Sequence, residues 1–344
     1  MLLLAIFGTV GNTLLIIVYI SARNLRKEFM IVIGISILAL FAAACSFVAA
    51  YFNYFNESMK STGCQLYGFI ISTATVACVH QVMLLAFERY LAMIHRTVYE
   101  RITFHCKLIA FLLVFGYSLA VTVPPLLGWS RYRLVEENIF YCGFDCVTDD
   151  FESRSYLVYL FVNAYAIPCI AITTCFTLIY RNINKPLTIS RSKTPDETIR
   201  ALEDEPEATA KSATDDEQKS GSKSSADETA ERDNYGEKEL RLTKLALLII
   251  CAFMITWTPY ALLAVIWRFI FTGSPGQTAL TLTALLGKTF IVWNPLIYAF
   301  GDRHFKKRLV DLFHCANPSS PFQRVEVDEI LATGNGDETQ LPLQ

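Results

Sequence analysis

The chain has 344 residues, 53% hydrophobic and 18% charged, with mean hydropathy +0.36 and a formal net charge of −2. It is too apolar for an ordinary soluble domain, and nothing in the charge balance suggests a nucleic-acid partner. The near-neutral total hides a division: residues 188–235 carry 13 acidic and 7 basic side chains, so the remainder is positive, and its excess lies in short loops.

Apolar segments fall at residues 1–22, 29–52, 64–94, 106–128, 154–180, 240–270 and 278–301, seven candidate spans near or above bilayer length. The first begins at Met1 without a polar leader, which reads as a chain whose short outer N-terminus is missing or barely exists. A cleaved signal peptide is the rival reading, but no small-residue cleavage site follows. Arg23, Arg26 and Lys27 follow the first span, Arg89, Arg96, Arg101 and Lys107 surround the link between spans three and four, and Arg303, Lys306, Lys307 and Arg308 follow the last. By the positive-inside rule these mark the inner side, leaving the N-terminus outside. The alternate loops carry Glu57, Glu136, Glu137, Asp145, Asp149, Asp150 and Glu152. Asn56-Glu57-Ser58, in the first outer loop, is a glycosylation sequon.

Most of the ten cysteines lie inside apolar spans and read as small core residues. Cys64 opens the third span on the outer side, and Cys142 and Cys146 lie in the second outer loop. The third span ends in Glu88-Arg89-Tyr90, which taken alone is an ordinary surface pair worth under about 1 kcal/mol. Prolines at 124, 125, 168 and 259 fall in or beside spans, where each frees a backbone carbonyl and kinks its helix. Residues 188–236 are polar and charged, with Pro195 and Pro206 and almost no large apolar side chain, and read as a long disordered loop, either a kinase substrate or a plain linker.

The last span holds the chain's most informative residue. Lys288 is the only Asp, Glu, Lys or Arg between residues 269 and 301. A lysine there costs roughly 2.5–3.5 kcal/mol to insert, so it must face the protein interior. It is either a structural lysine in a polar cavity or a desolvated nucleophile able to condense with an aldehyde. Beyond it, residues 305–313 have helical spacing with a basic face and fit a short amphipathic helix on the inner membrane surface, and Cys315 is a candidate for palmitoylation.

Six residues after Lys288 stands Asn294-Pro295-Leu296-Ile297-Tyr298, which resembles the NPxxY signature of rhodopsin-like G-protein-coupled receptors. Within them, a lysine at that spacing resembles the retinal-binding lysine of animal opsins. Further residues carry the likeness: Gly11-Asn12, Glu88-Arg89-Tyr90 as the ERY motif, Pro124-Pro125-Leu126-Leu127-Gly128-Trp129-Ser130, Pro168, and Trp257-Thr258-Pro259-Tyr260. It covers about residues 8–185 and 237–315.

The resemblance implies an all-α seven-transmembrane helix bundle with a short amphipathic eighth helix, divided as helices one to five (1–187), a disordered inner loop (188–236), helices six and seven (237–301), the amphipathic helix (302–315) and a flexible tail (316–344). It implies a receptor rather than an enzyme, with retinal on Lys288 as a Schiff base, contacts from Trp257 and Tyr260, and a Cys64–Cys142 bridge, Cys146 being the competitor. Glu88, Arg89, Tyr90, Glu239, Asn294, Pro295 and Tyr298 become switch residues, with Glu239 holding Arg89 until the helices part. Implied partners are a heterotrimeric G-protein, arrestin and a receptor kinase, in the plasma membrane of a photoreceptor cell.

Departures matter too. Tyr67 stands where vertebrate visual opsins carry a glutamate counterion, so that role falls to Glu136, six residues before Cys142, with Glu137 as the substitute. No acid occurs in the second span, and Phe115 and Phe176 replace the usual Trp and Tyr. These losses leave room for a retinal photoisomerase of the retinochrome type. A receptor for a diffusible ligand is the third reading, in which Lys288 is a polar contact; an amine ligand is disfavoured because the third span has no acid before Glu88.

Overall fold

In hydrocarbon every backbone polar group must be satisfied within its own segment, so apolar runs of bilayer length become helices. The computed structural model describes residues 1–21, 27–55, 61–134, 142–146, 148–184, 225–270 and 277–316. Among these, seven helices are long and apolar enough to cross a membrane. They are α1 (Leu2–Ser21), α2 (Met30–Phe55), α3 (Ser61–Ile94), α4 (Phe104–Thr122), α5 (Phe151–Ile183), α6 (Ser225–Ile270) and α7, which runs as Gln277–Lys288 and Phe290–Gly301. A further helix, α8 (Arg303–Ala316), follows, and a short inner helix, Arg96–Arg101, links α3 to α4. Two strands, β1 (Tyr132–Leu134) and β2 (Cys142–Phe144), pair antiparallel between α4 and α5. At the centre of the bundle α3 touches α2, α4, α5, α6 and both strands.

Two boundaries differ from those expected by more than three residues. The fourth span ends at Thr122, not at 128, because Pro124 and Pro125 lack the amide hydrogens a helix needs. The chain instead makes a tight turn at Pro124–Leu126 and reverses at Gly128, where φ is 97°. The expected loop up to residue 236 is too long, since α6 begins at Ser225. Residues 225–236 are rich in Ala, Glu and Asp without a proline, so a composition too polar to form a core is still compatible with an extended helix.

Prolines place the bundle's interior bonds. Pro295 frees the Ile291 carbonyl four residues before it, and Asn12 Nδ2 donates to that oxygen at 2.7 Å. Gly11 makes the approach possible, since a Cβ there would stand 2.7 Å from Pro295 Cγ. In α5 a π-helical turn, Val162–Ala166, precedes Pro168. Its i to i+5 pattern would ask Pro168 for an amide hydrogen it lacks, so the Asn163 carbonyl turns to His80 Nε2 on α3, 3.1 Å away.

Candidate functional site

A cavity of about 90 Å³ lies in the outer half of the bundle, walled by α3, α5 and α6 through Val76, Val79, Leu160, Phe161, Trp257 and Tyr260. Two smaller cavities share Trp257 and Thr75 with it, and both reach Lys288. Lys288 is 7% exposed, at the point where α7 breaks at Thr289. Gly287 beside it lets α7 close on the Trp257 ring, which a Cβ would meet at 2.9 Å. Residues Cys142, Gly143 and Phe144 of β2 form part of the cavity wall, and the Cys64–Cys142 disulfide ties that strand to the outer end of α3. Cys146 is a buried free thiol. An apolar chamber with an amine in its wall suits an elongated apolar aldehyde, so the residues present fit retinal.

Tyr67, expected at the counterion position, is buried and donates its hydroxyl to the Cys45 carbonyl on α2 at 3.1 Å. Cys45 in turn lies within electrostatic range of Lys288. Glu136 and Asn56 lie outside the described residues, and Cys315 is on α8 with its side chain outside the described ones. On the outer face Asp145 is buried and paired with Arg131 at 3.3 Å and Arg133 at 3.7 Å.

At the inner end the signs alternate. Glu239 on α6 bonds Arg89 at 3.1 Å, Arg89 reaches Glu88 at 3.2 Å, and Glu88 accepts from Lys107 on α4. All four are only 3–4% exposed, and Lys107 also donates to the Lys27 carbonyl at 2.8 Å. Each buried charge thus has a partner of opposite sign, without which burial costs several kcal/mol. Tyr99, on the short inner helix, offers its ring face to the Lys107 ammonium 5.2 Å away, and its hydroxyl accepts from Arg89 at 3.4 Å. Burial first, and then the Glu88 carboxylate, push its pKa up and keep it protonated.

The remaining expected switch residues divide. Asn294 donates to Ser36 Oγ at 2.9 Å, and Tyr298 sits edge-on to Tyr19 and Phe29. Tyr90 turns away, its hydroxyl 3.1 Å from His95 Nε2, so it is not part of the ladder. Sequence reasoning missed Lys107 as a buried partner, although a lysine four residues into an apolar helix is itself a signal. It also missed the Tyr19 hydroxyl's bond to buried Asp302 at 2.6 Å, which pins the start of α8 to α1.

The family model for the seven-transmembrane receptors of the rhodopsin family matches residues 11–298. The chain is 26% identical to a Gq-coupled rhodopsin of Mizuhopecten yessoensis, over 92% of this chain and 60% of that protein, so it spans about three fifths of that relative's length. It is 26% identical to ceropsin of Bombyx mori, over 90% and 75%, and 27% to a rhodopsin of Sminthopsis crassicaudata, over 92% and 82%. Its backbone is similar to a crystal structure of squid rhodopsin with a TM-score of 0.72, at 19% identity, covering 99% of this chain and 89% of that one.

Proposed function

The chain belongs to the rhodopsin family of seven-transmembrane receptors, and from that premise we propose that it is a light sensor carrying retinal on Lys288 and signalling to a heterotrimeric G-protein. The observation that carries this reading is the Lys288 amine in the wall of an apolar cavity beside Trp257 and Tyr260. Retinal, when bound, supplies visible absorption and a light-driven change of shape. The chain's own residues do the rest. Val76, Val79 and Leu160 exclude water, Gly287 lets Trp257 close against α7, and β2 shields the chamber. Downstream, Arg89 and Glu239 hold α6 against α3, and their separation opens the inner face to the G-protein. Glu136 is the proposed counterion, on its spacing from Cys142 alone. Insertion in the plasma membrane with the N-terminus outside, and recognition by arrestin and a receptor kinase, belong to the same reading.

The intact Arg89–Glu239 pair favours signalling over a photoisomerase of the retinochrome type. Reconstitution with cis retinal followed by nucleotide exchange across G-protein subtypes tests the proposal. A visible absorbance band is expected in wild type and none in Lys288→Ala; a band of equal strength in that variant would sink the covalent role. Chromatography of the isomers after dark and light incubation separates the photoisomerase: a light-dependent yield of cis isomer without nucleotide exchange would replace the receptor reading. For Glu136→Gln, the visible band is expected to vanish at a lower pH than in wild type.

A further inference from the structure

Glu28, in the turn before α2, accepts from Lys238 Nζ on α6 at 2.9 Å, and its side chain is only 13% exposed. Lys238 directly precedes Glu239, so the inner end of α6 offers the bundle one residue of each sign: Lys238 to Glu28, and Glu239 to Arg89. Glu28 and Arg89 also line one small cavity, about 10 Å³, together with Glu88 and Tyr298. Glu28 lies within electrostatic range of Glu239 as well. Three carboxylates, Glu28, Glu88 and Glu239, are therefore arranged around one guanidinium, and of these Glu239 alone stands on the helix that moves.

Drawing α6 outward breaks both pairs at once. Stripping a buried charge of its partner is ordinarily very costly, because the charge left behind is uncompensated. Here the helix takes away a cation and an anion and leaves a cation and an anion facing the same cavity. Glu88 cannot replace the lost carboxylate fully, since it already serves Lys107. With Glu28 counted, the charges left are two cations, Arg89 and Lys107, and two anions, Glu88 and Glu28; without it they are unbalanced by one.

We propose that Glu28 takes over from Glu239 as the partner of Arg89 when α6 swings out, so that the switch exchanges one carboxylate for another and releases Lys238 to water. The outward motion rests on the receptor reading above, while the exchange is a property of these four residues.

The test is the distance between spin labels at exposed Val98 and exposed Leu248, read in the full chain with its other reactive cysteines replaced, without light, ligand or G-protein. Lys238→Gln removes the closed-state pair and keeps the incoming carboxylate, so the open population should rise about two- to five-fold, the scale of a half-exposed ion pair. Glu28→Gln removes the same pair and the replacement too, so the open population should stay at or below that of wild type. The double variant Glu28→Lys with Lys238→Glu restores the closed pair but sets a second cation beside Arg89, and should hold α6 in. Equal rises in Lys238→Gln and Glu28→Gln, or wild-type behaviour in the charge swap, would show a plain latch and overturn the exchange. A distance unchanged in all three variants overturns it as well. None of these outcomes alters pigment formation or nucleotide exchange in wild type, so the two readings fail separately.

Discussion

Lys107 is the last rung of the inner ladder, and truncating it strands the Glu88 carboxylate beside a guanidinium it shares with Glu239. Lys107→Ala should cost on the order of 3 kcal/mol, seen as a clear drop in the thermal melt of the purified protein, and Lys107→Arg should recover part of it. A melt within a degree of wild type would show that Glu88 is satisfied without α4. Legibility in the sequence differs from residue to residue here. Lys288 is readable as an improbable charge in an apolar run, whereas Trp257, Arg89 and Glu239 gain their meaning only from the resemblance of their surroundings to the motifs of rhodopsin-like receptors. Lys107 shows itself as a charge near the start of an apolar helix but not its partner, a carboxylate 19 residues earlier, and Glu28 shows neither, because its partner is a lysine 210 residues later.

At the scale of an element, α5 shows what holds a span in place from its outer end. Asp150 caps it, accepting from the Ser153 amide at 2.6 Å, and that bond, with help from Arg131, holds the Asp150 carboxyl below the usual carboxylate range. A depressed pKa means the cap contributes at any pH above the ordinary value of 3.8 and is lost as pH falls through the lower folded value. Asp150→Ala should cost about 1 kcal/mol at neutral pH, less than that once wild type is acidified, with faster amide exchange at the outer turn of α5 as the measurement. The proline of this helix is legible in the sequence, but the π turn before it is not. Nothing local distinguishes a five-residue turn from an ordinary one, and it is the His80 ring on α3 that makes the carbonyl at Asn163 tolerable. The early end of α4 was, by contrast, available in Pro124-Pro125, where hydrophobicity outweighed the missing amide hydrogens in setting the expected boundary.

The whole molecule separates two environments, an apolar chamber in its outer half and a ladder of paired charges in its inner half, joined by α3, α6 and α7. Loss of one should leave the other standing. Cys64→Ser frees β2 from α3 and should reduce the yield of pigment with retinal, while helix content by circular dichroism stays near wild type. Its stability cost should fall below the roughly 4 kcal/mol that closure of so long a loop gives in water, because helices still threaded through a bilayer keep the two ends close after unfolding. Pigment yield equal to wild type would mean β2 stays in place without its covalent tie. The length of α6 has a mechanical consequence. From Pro259 to Ser225 the helix runs about 50 Å, well beyond the bilayer core, so under the proposed receptor reading it would act as a lever with its fulcrum beside Trp257. Each degree of bend at Pro259 would carry the far tip through about 0.9 Å, so a bend of about ten degrees at the chamber would become a stroke of about 9 Å at the far end of the helix.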